Sequence, residues 1–223
     1  MQTSHRFEKE ITRKANIQYL LFLPYDYDGI RKFPLILFLH GAGERGEDIR
    51  KVKTHGPPKI VETDKDFPFI VVSPQCPEHT HWGMMMDELM ALIGEIKDNY
   101  SVDTKQIYLT GLSMGGYGTW GLAARHPGEF AAIAPICGGW MPPQEVLTLK
   151  DTPVWAFHGG KDKDVLPEES ERLVELLQSQ GAEHVLLTIY PDAGHDSWTA
   201  TYESKELYQW FLSHRRPSDE SAD

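Results

Sequence analysis

Two uninterrupted apolar runs, at residues 35–39 and 69–72, constrain the fold of this chain more than any other feature. A strand whose residues are all apolar is buried on both faces, as in the centre of a parallel sheet. Apolar residues at helical spacing follow the second run, and strand and helix patterns alternate through the rest of the chain. This order predicts βαβ units and a mostly parallel central sheet with helices on both faces.

The chain has 223 residues and no internal repeat, which predicts one large domain. We expect that domain at residues 1–214 and a disordered, polar C-terminal tail at residues 215–223. The patterns predict strands at residues 17–23, 35–39, 69–72, 107–110, 130–136, 154–157 and 185–189. They predict helices at residues 84–97, 114–125, 167–180 and 198–213.

Charge and cysteine content restrict the partners and the compartment. The net charge of −11 repels phosphate backbones and anionic lipids, so neither nucleic acid nor a membrane surface is an expected partner. The first residues lack the apolar run of a signal peptide, and Cys76 and Cys137 are too few for a disulfide framework. Both are expected to be buried thiols in a reducing compartment, and the expected location is cytoplasmic.

A Gly-x-Ser-x-Gly sequence stands between a predicted strand, residues 107–110, and a predicted helix, residues 114–125. In such a strand–turn–helix the central serine is held in a strained backbone region, and small neighbours prevent a clash. Gly111 and Gly115 provide those neighbours, and Ser113 is the candidate nucleophile.

A serine nucleophile needs an adjacent base, and in this arrangement the acid and then the histidine follow the serine along the chain. The histidines after residue 113 are His126, His158, His184, His195 and His214. His195 lies in a turn-rich loop between the last predicted strand and the last helix, so it can fold over the sheet edge. His126 and His158 are expected to have structural roles, His158 at a strand end, whereas His184 and His214 are expected to be exposed polar residues.

Two aspartates compete for the acid, and both follow the strand at residues 154–157. Asp162 falls where the loop crosses the sheet edge, whereas Asp164 could instead cap the next helix.

For the oxyanion hole, the backbone N–H of Met114 follows the nucleophile at a helix N-terminus. The glycine-rich loop at residues 39–46 offers the N–H of Ala42 as a second donor.

Four segments together, residues 39–46, 111–120, 158–162 and 194–198, resemble motifs of α/β-hydrolases of the carboxylesterase/phospholipase group. This group is close to bacterial predicted peptidases and dienelactone-hydrolase-like esterases, and the resemblance covers about residues 15–212. It implies an α/β-hydrolase fold with a central sheet of about eight strands. It also implies Ser113 as nucleophile, His195 as base and Asp162 as its orienting acid.

The chain departs from the group at two places. The proline of the acid loop, Pro167, comes one residue later than usual, which keeps Asp164 open as the acid. Dienelactone hydrolases proper use a cysteine nucleophile, so Ser113 favours ester hydrolysis over lactone opening.

The expected site is open, because residues 138–152 leave room for a loop and not for a cap domain. Trp82, Trp140 and Trp198 are candidate substrate-binding residues. No cofactor and no metal are expected, since His79 and His81 lack a spaced third ligand.

The predicted function is a serine carboxylesterase that hydrolyses short or accessible carboxylic esters through an acyl-enzyme. Three alternatives remain: a peptidase of the same fold, a carbohydrate-linked acetyl or feruloyl esterase, and a non-catalytic binding protein. The oligomeric state is left open.

Overall fold

A computed structural model describes residues 2–10 and 12–217 of the chain. Within them the seven-stranded sheet has the order β1-β3-β2-β4-β5-β6-β7, and only β1 runs antiparallel to its neighbour. The sheet therefore has one strand fewer than the expected eight. The strands are β1 Gln18–Phe22, β2 Phe33–Leu39, β3 Ile70–Gln75, β4 Val102–Leu112, β5 Ala132–Ile136, β6 Val154–Gly159 and β7 Val185–Tyr190.

The helices cover both faces of this sheet, and short 3₁₀ turns lie in several of the connections between strands and helices. They are α1 Gly56–Ile60, α2 Met86–Asn99, α3 Met114–Arg125, α4 Pro143–Val146, α5 Glu168–Ser179, α6 Trp198–Glu203 and α7 Lys205–Leu212. The predicted helix over residues 198–213 is two helices, because Ser204 is extended and its side chain accepts a hydrogen bond from the N–H of Glu206. A serine N-cap of this kind starts a new helix.

The β2 run explains why an all-apolar strand needs two helical layers. Leu35, Leu37 and Leu39 belong to the core cluster under α2, α3 and α5, whereas Ile36 and Phe38 belong to the cluster under α6 and α7. Successive side chains of a strand point to opposite faces, so both faces must be covered. Burying each such side chain contributes about 1.5–3 kcal/mol to folding.

The connection between β5 and β6 holds only α4 and one 3₁₀ turn, Leu147–Leu149, which leaves the carboxyl edge of the sheet uncapped there. The predicted C-terminal tail begins at residue 215, and its first two residues make hydrogen bonds to β4. Arg215 donates to Gln106 and Asp103, and the N–H of Arg216 donates to Lys105 O at 2.9 Å. Residues 218–223 lie outside the described residues. Across the described ranges, none of the helices has both the length and the apolarity needed to cross a bilayer.

Candidate active site

The turn between β4 and α3 holds Ser113 in a strained conformation, with φ +52° and ψ −116°. A Cβ on Gly115 would lie 1.9 Å from the carbonyl oxygen of Leu39, and one on Gly111 would lie 2.5 Å from Gly115 O. No side chain fits at either position, so the glycines are required by close backbone approach. The strained turn places the Ser113 hydroxyl at the carboxyl edge of the sheet.

His195 and Asp162 meet this hydroxyl from two distant parts of the chain. His195 Nε2 lies 2.9 Å from Ser113 Oγ, and its Nδ1 lies 2.7 Å from Asp162 Oδ2. A carboxylate only accepts, so Nδ1 carries the proton and Nε2 is free to accept from the serine. Serine, imidazole and carboxylate thus form one hydrogen-bonded line, the arrangement that activates a serine nucleophile.

The structure brings Asp162 to His195, and not Asp164. Asp162 is 3% exposed, and its other oxygen, Oδ1, accepts from the N–H groups of Asp164 and Val165. Burial raises the pKa of Asp162, but the hydrogen bonds from His195 and from these N–H groups outweigh it and hold the pKa below its usual value. The side chain of Asp164 is exposed. The helix cap suggested for it is not formed, since α5 begins after Pro167 with no side-chain cap.

The loop after β2 packs directly on the nucleophile turn. The position of a Cβ on Gly115 is 2.9 Å from His40 O, so the backbone leading into Ala42 passes beside the first turn of α3. Ala42 opens a 3₁₀ turn, and Met114 is the first residue of α3. Both predicted oxyanion donors therefore belong to segments that meet next to Ser113.

His40 anchors this loop and was not identified from the sequence. Its Nε2 accepts from the N–H of Cys76 at 3.0 Å, and its Nδ1 donates to Gly41 O at 2.6 Å, which fixes a neutral ring. Burial lowers the pKa of His40 to about 4. Trp82 also holds the loop, because its indole N–H donates to His40 O at 2.9 Å. Only the glycine-rich motif that follows His40 could have drawn attention to it.

A cavity of about 600 Å³ opens beside Ser113. Its walls are mostly apolar, and Gly118 and Gly121 of α3 let the side chains of Trp82 and Met86 pack directly on that helix. The lining residues are His81, Trp82, Gly83, Met86, Ser113, Met114, Tyr117, Gly118, Gly121, Trp140, Met141, Pro142 and Glu145.

The three candidate tryptophans have different places. Trp82 is buried and Trp140 is 64% exposed, and both line the cavity at Ser113. Trp198 instead packs edge-on against the ring of His195, with centroids 5.2 Å apart, and lines a separate cavity with His55. Trp198 is absent from the lining of the cavity beside Ser113, and its substrate-binding role stays a prediction. It is the first residue of α6, where its ring supports the base.

Cys137 lies under the same group of side chains. Ligand atoms of Cys137, Asp162 and His195 all fall within 4.8 Å of one another, which is a spacing that a metal ion can bridge. Asp162 and His195 already bond to each other, however, and burial raises the pKa of the Cys137 thiol to about 12. A protonated thiol is a poor ligand and a poor nucleophile, so this set fits serine chemistry better than metal binding.

Comparison with known proteins identifies a family and similar structures for this chain. The family model of the dienelactone hydrolase family matches residues 76–210, more than half of the chain. The crystal structure of a thermostable esterase superposes with a TM-score of 0.75 at 37% identity, covering 90% of this chain and 60% of that one.

Two curated relatives differ in the share of their own length that this chain covers. The bifunctional acetylxylan esterase/xylanase XynS20E of Neocallimastix patriciarum is 31% identical over 60% of this chain, but the chain spans only 20% of its length. "Probable carboxylesterase SOBER1-like" of Arabidopsis thaliana is 26% identical over 84% of this chain and 81% of its own length.

Proposed function

Since the chain belongs to the dienelactone hydrolase family, a family of hydrolases, we propose that it hydrolyses carboxylic esters through an acyl-enzyme on Ser113. The observation that carries the proposal is the hydrogen-bonded line from Ser113 Oγ through His195 to Asp162, at 2.9 and 2.7 Å. Serine replaces the cysteine that dienelactone hydrolases proper use, which favours simple esters as substrates.

In the first half of the reaction His195 Nε2 takes the proton of Ser113, and Oγ attacks the ester carbonyl carbon. The C=O electrons move to the oxygen, which the N–H groups of Met114 and Ala42 stabilise, each donor contributing about 3 kcal/mol in such sites. Collapse of this tetrahedral intermediate breaks the C–O bond to the alcohol. His195 returns the proton to the alcohol as it leaves.

In the second half, water takes the place of the alcohol. His195 Nε2 removes a proton from the water, and the hydroxide oxygen attacks the acyl carbon. The acid then leaves, and Ser113 Oγ recovers its proton from His195. Throughout, Asp162 stays ionised because N–H groups and His195 satisfy both of its oxygens.

The cavity beside Ser113 is the proposed acyl site. Its volume of about 600 Å³ and its apolar walls suit an acyl chain or an aryl group. The site is uncapped on the β5–β6 side, so esters displayed on larger molecules can also enter.

A second candidate is the release of acetyl or aromatic acyl groups from carbohydrate. The exposed indole of Trp140 at the cavity supports it, because a flat aromatic surface packs well against a sugar or phenyl ring. The similarity to the acetylxylan esterase/xylanase points to the same substrates.

A panel of p-nitrophenyl esters, including the acetate and the ferulate, tests the proposal. Acetylated xylan is a further substrate. We expect turnover by the wild type and its loss in Ser113→Ala, with an unchanged circular dichroism spectrum. His184→Gln is the matched control, because His184 is exposed and outside the site. Equal turnover by Ser113→Ala and the wild type would contradict the assignment.

A further inference from the structure

The carboxylate of Asp162 lies between two imidazoles. The second belongs to His158, near the end of β6, and its Nε2 is 3.3 Å from Asp162 Oδ2. The side chains of both residues are completely buried. Of the two histidines, His195 is the one that contacts Ser113. His158 therefore faces the reaction only through Asp162.

The partners of His158 fix where its proton lies. Nε2 is 3.0 Å from the carbonyl oxygen of Val165 and faces the Asp162 carboxylate as well, and both groups only accept. Nε2 thus carries a hydrogen and donates to Val165 O. The N–H of Val165 in turn donates to Asp162 Oδ1 at 3.1 Å. His158 closes the turn whose N–H groups hold the carboxylate.

The other ring nitrogen is fixed from a different element. Nδ1 of His158 lies 2.7 Å from the hydroxyl of Ser170, a buried residue of α5. Ser170 Oγ also lies 2.8 Å from Gly138 O, in the segment between Cys137 and Trp140. Since both nitrogens have buried partners, the ring has one orientation. An apolar ring of the same size would fill the space but make none of these bonds.

We propose that His158 is a positioning residue that holds the Asp162 carboxylate at the angle from which Oδ2 reaches His195. The proposal rests on the proposed function and adds a fourth side chain to its chemistry. The strand-end role expected from the sequence is thus only part of what His158 does. A buried carboxylate that can rotate loses its alignment with the base, and a misplacement of 1 Å can cost a large factor in rate.

Two variants separate this role from simple packing. His158→Gln places an amide where Nε2 was and keeps a donor towards Val165 and Asp162. His158→Asn places its amide where Nδ1 was, which keeps a partner for Ser170 and removes the donor towards Asp162. Active sites are counted in each variant by stoichiometric labelling with a fluorophosphonate, so that loss of folded protein is not mistaken for loss of rate.

We expect kcat per labelled site to fall about tenfold or more in His158→Asn, with KM within about twofold, and to stay within about threefold of the wild type in His158→Gln. The acid limb of the kcat/KM profile should move to higher pH in His158→Asn. Without the N–H beside Oδ2, the carboxylate attracts a proton on His195 more strongly. Cys137 and Tyr117 also lie near Asp162, as do its chain neighbours Lys161, Lys163 and Asp164, and all five are unchanged in both variants.

The proposal would be overturned if His158→Asn kept the wild-type kcat per labelled site and the wild-type pH profile. Equal losses of kcat in the two variants would also overturn it. If His158→Asn does not fold, Ser170→Ala replaces it, because it frees the ring from α5. We then expect about a threefold loss of kcat with KM unchanged, and an unaltered kcat overturns the proposal. Absence of labelling and turnover in the wild type would instead contradict the proposed function.

Discussion

Acidification should destabilise this protein through His40, the residue that anchors the loop after β2. The ring is 1% exposed and is neutral in the folded state, because Nε2 accepts from the N–H of Cys76 and Nδ1 donates to Gly41 O. A proton on Nε2 would break the first of these bonds and bury a charge. Burial accordingly lowers the pKa of His40 to about 4, from an ordinary value of 6.5.

The size and direction of the effect follow from these two values. Above pH 6.5 the residue is neutral in both the folded and the unfolded chain, and the stability is fully present. Between pH 6.5 and about 4 only the unfolded chain binds the proton, so the free energy of unfolding falls by about 1.4 kcal/mol per pH unit. From pH 7 to pH 5 the expected loss from His40 is about 2 kcal/mol. Below about pH 4 both states are protonated and the loss levels off.

Urea unfolding at pH 7, 6 and 5, followed by tryptophan fluorescence, measures this loss in the wild type and in His40→Gln. The loss between pH 7 and pH 5 should be about 2 kcal/mol smaller in the variant. His184→Gln, which replaces an exposed histidine, should keep the wild-type dependence. Asp162 does not interfere, because its hydrogen bonds hold its pKa below the ordinary carboxyl value and it stays ionised over this range. The same loss in His40→Gln as in the wild type would refute the reasoning.

Further predictions concern the acid, the turn and the cavity. Asp162→Asn should lower kcat about 10⁴-fold, as loss of a triad acid does elsewhere, whereas Asp164→Asn should stay within about twofold; equal effects on kcat would contradict the assignment. Gly115→Ala should cost about 3 kcal/mol or more in urea unfolding, because its Cβ would lie 1.9 Å from Leu39 O, while Gly94→Ala, with no atom within 4 Å, should gain up to about 1 kcal/mol. Trp140→Ala should raise KM about tenfold for aromatic acyl esters and leave p-nitrophenyl acetate within about twofold; an equal change for both substrates would contradict its role in the cavity.

The strands and the candidate nucleophile could be predicted from the sequence because each depends on local residues. Apolar runs mark the buried strands, and the glycines around Ser113 mark the sharp turn. Neither signal depends on contacts with distant parts of the chain. The expectation of about eight strands came from the resemblance, whereas the residues themselves supply seven apolar runs. The break at Ser204 had a local signal, a serine cap followed by Glu206, which the continuous helical spacing obscured.

Features that depend on distant contacts could not be predicted in the same way. His40 is held by Cys76 and Trp82, which lie 36 and 42 residues further along the chain, and no spacing rule links them. Trp198 could be placed at the site edge but not assigned to a cavity, because its position depends on how α6 packs beside His195. His158 was predicted to be a structural residue at a strand end, but its contact with Asp162 depends on how the loop after β6 folds back.

The central claim is that one hydroxyl, that of Ser113, is made nucleophilic by His195. Treatment with a fluorophosphonate, followed by peptide mass spectrometry, tests it most directly. We predict a single adduct on Ser113 in the wild type and labelling slower by orders of magnitude in His195→Ala. An adduct on another residue, or an equal labelling rate in the two proteins, would contradict the account.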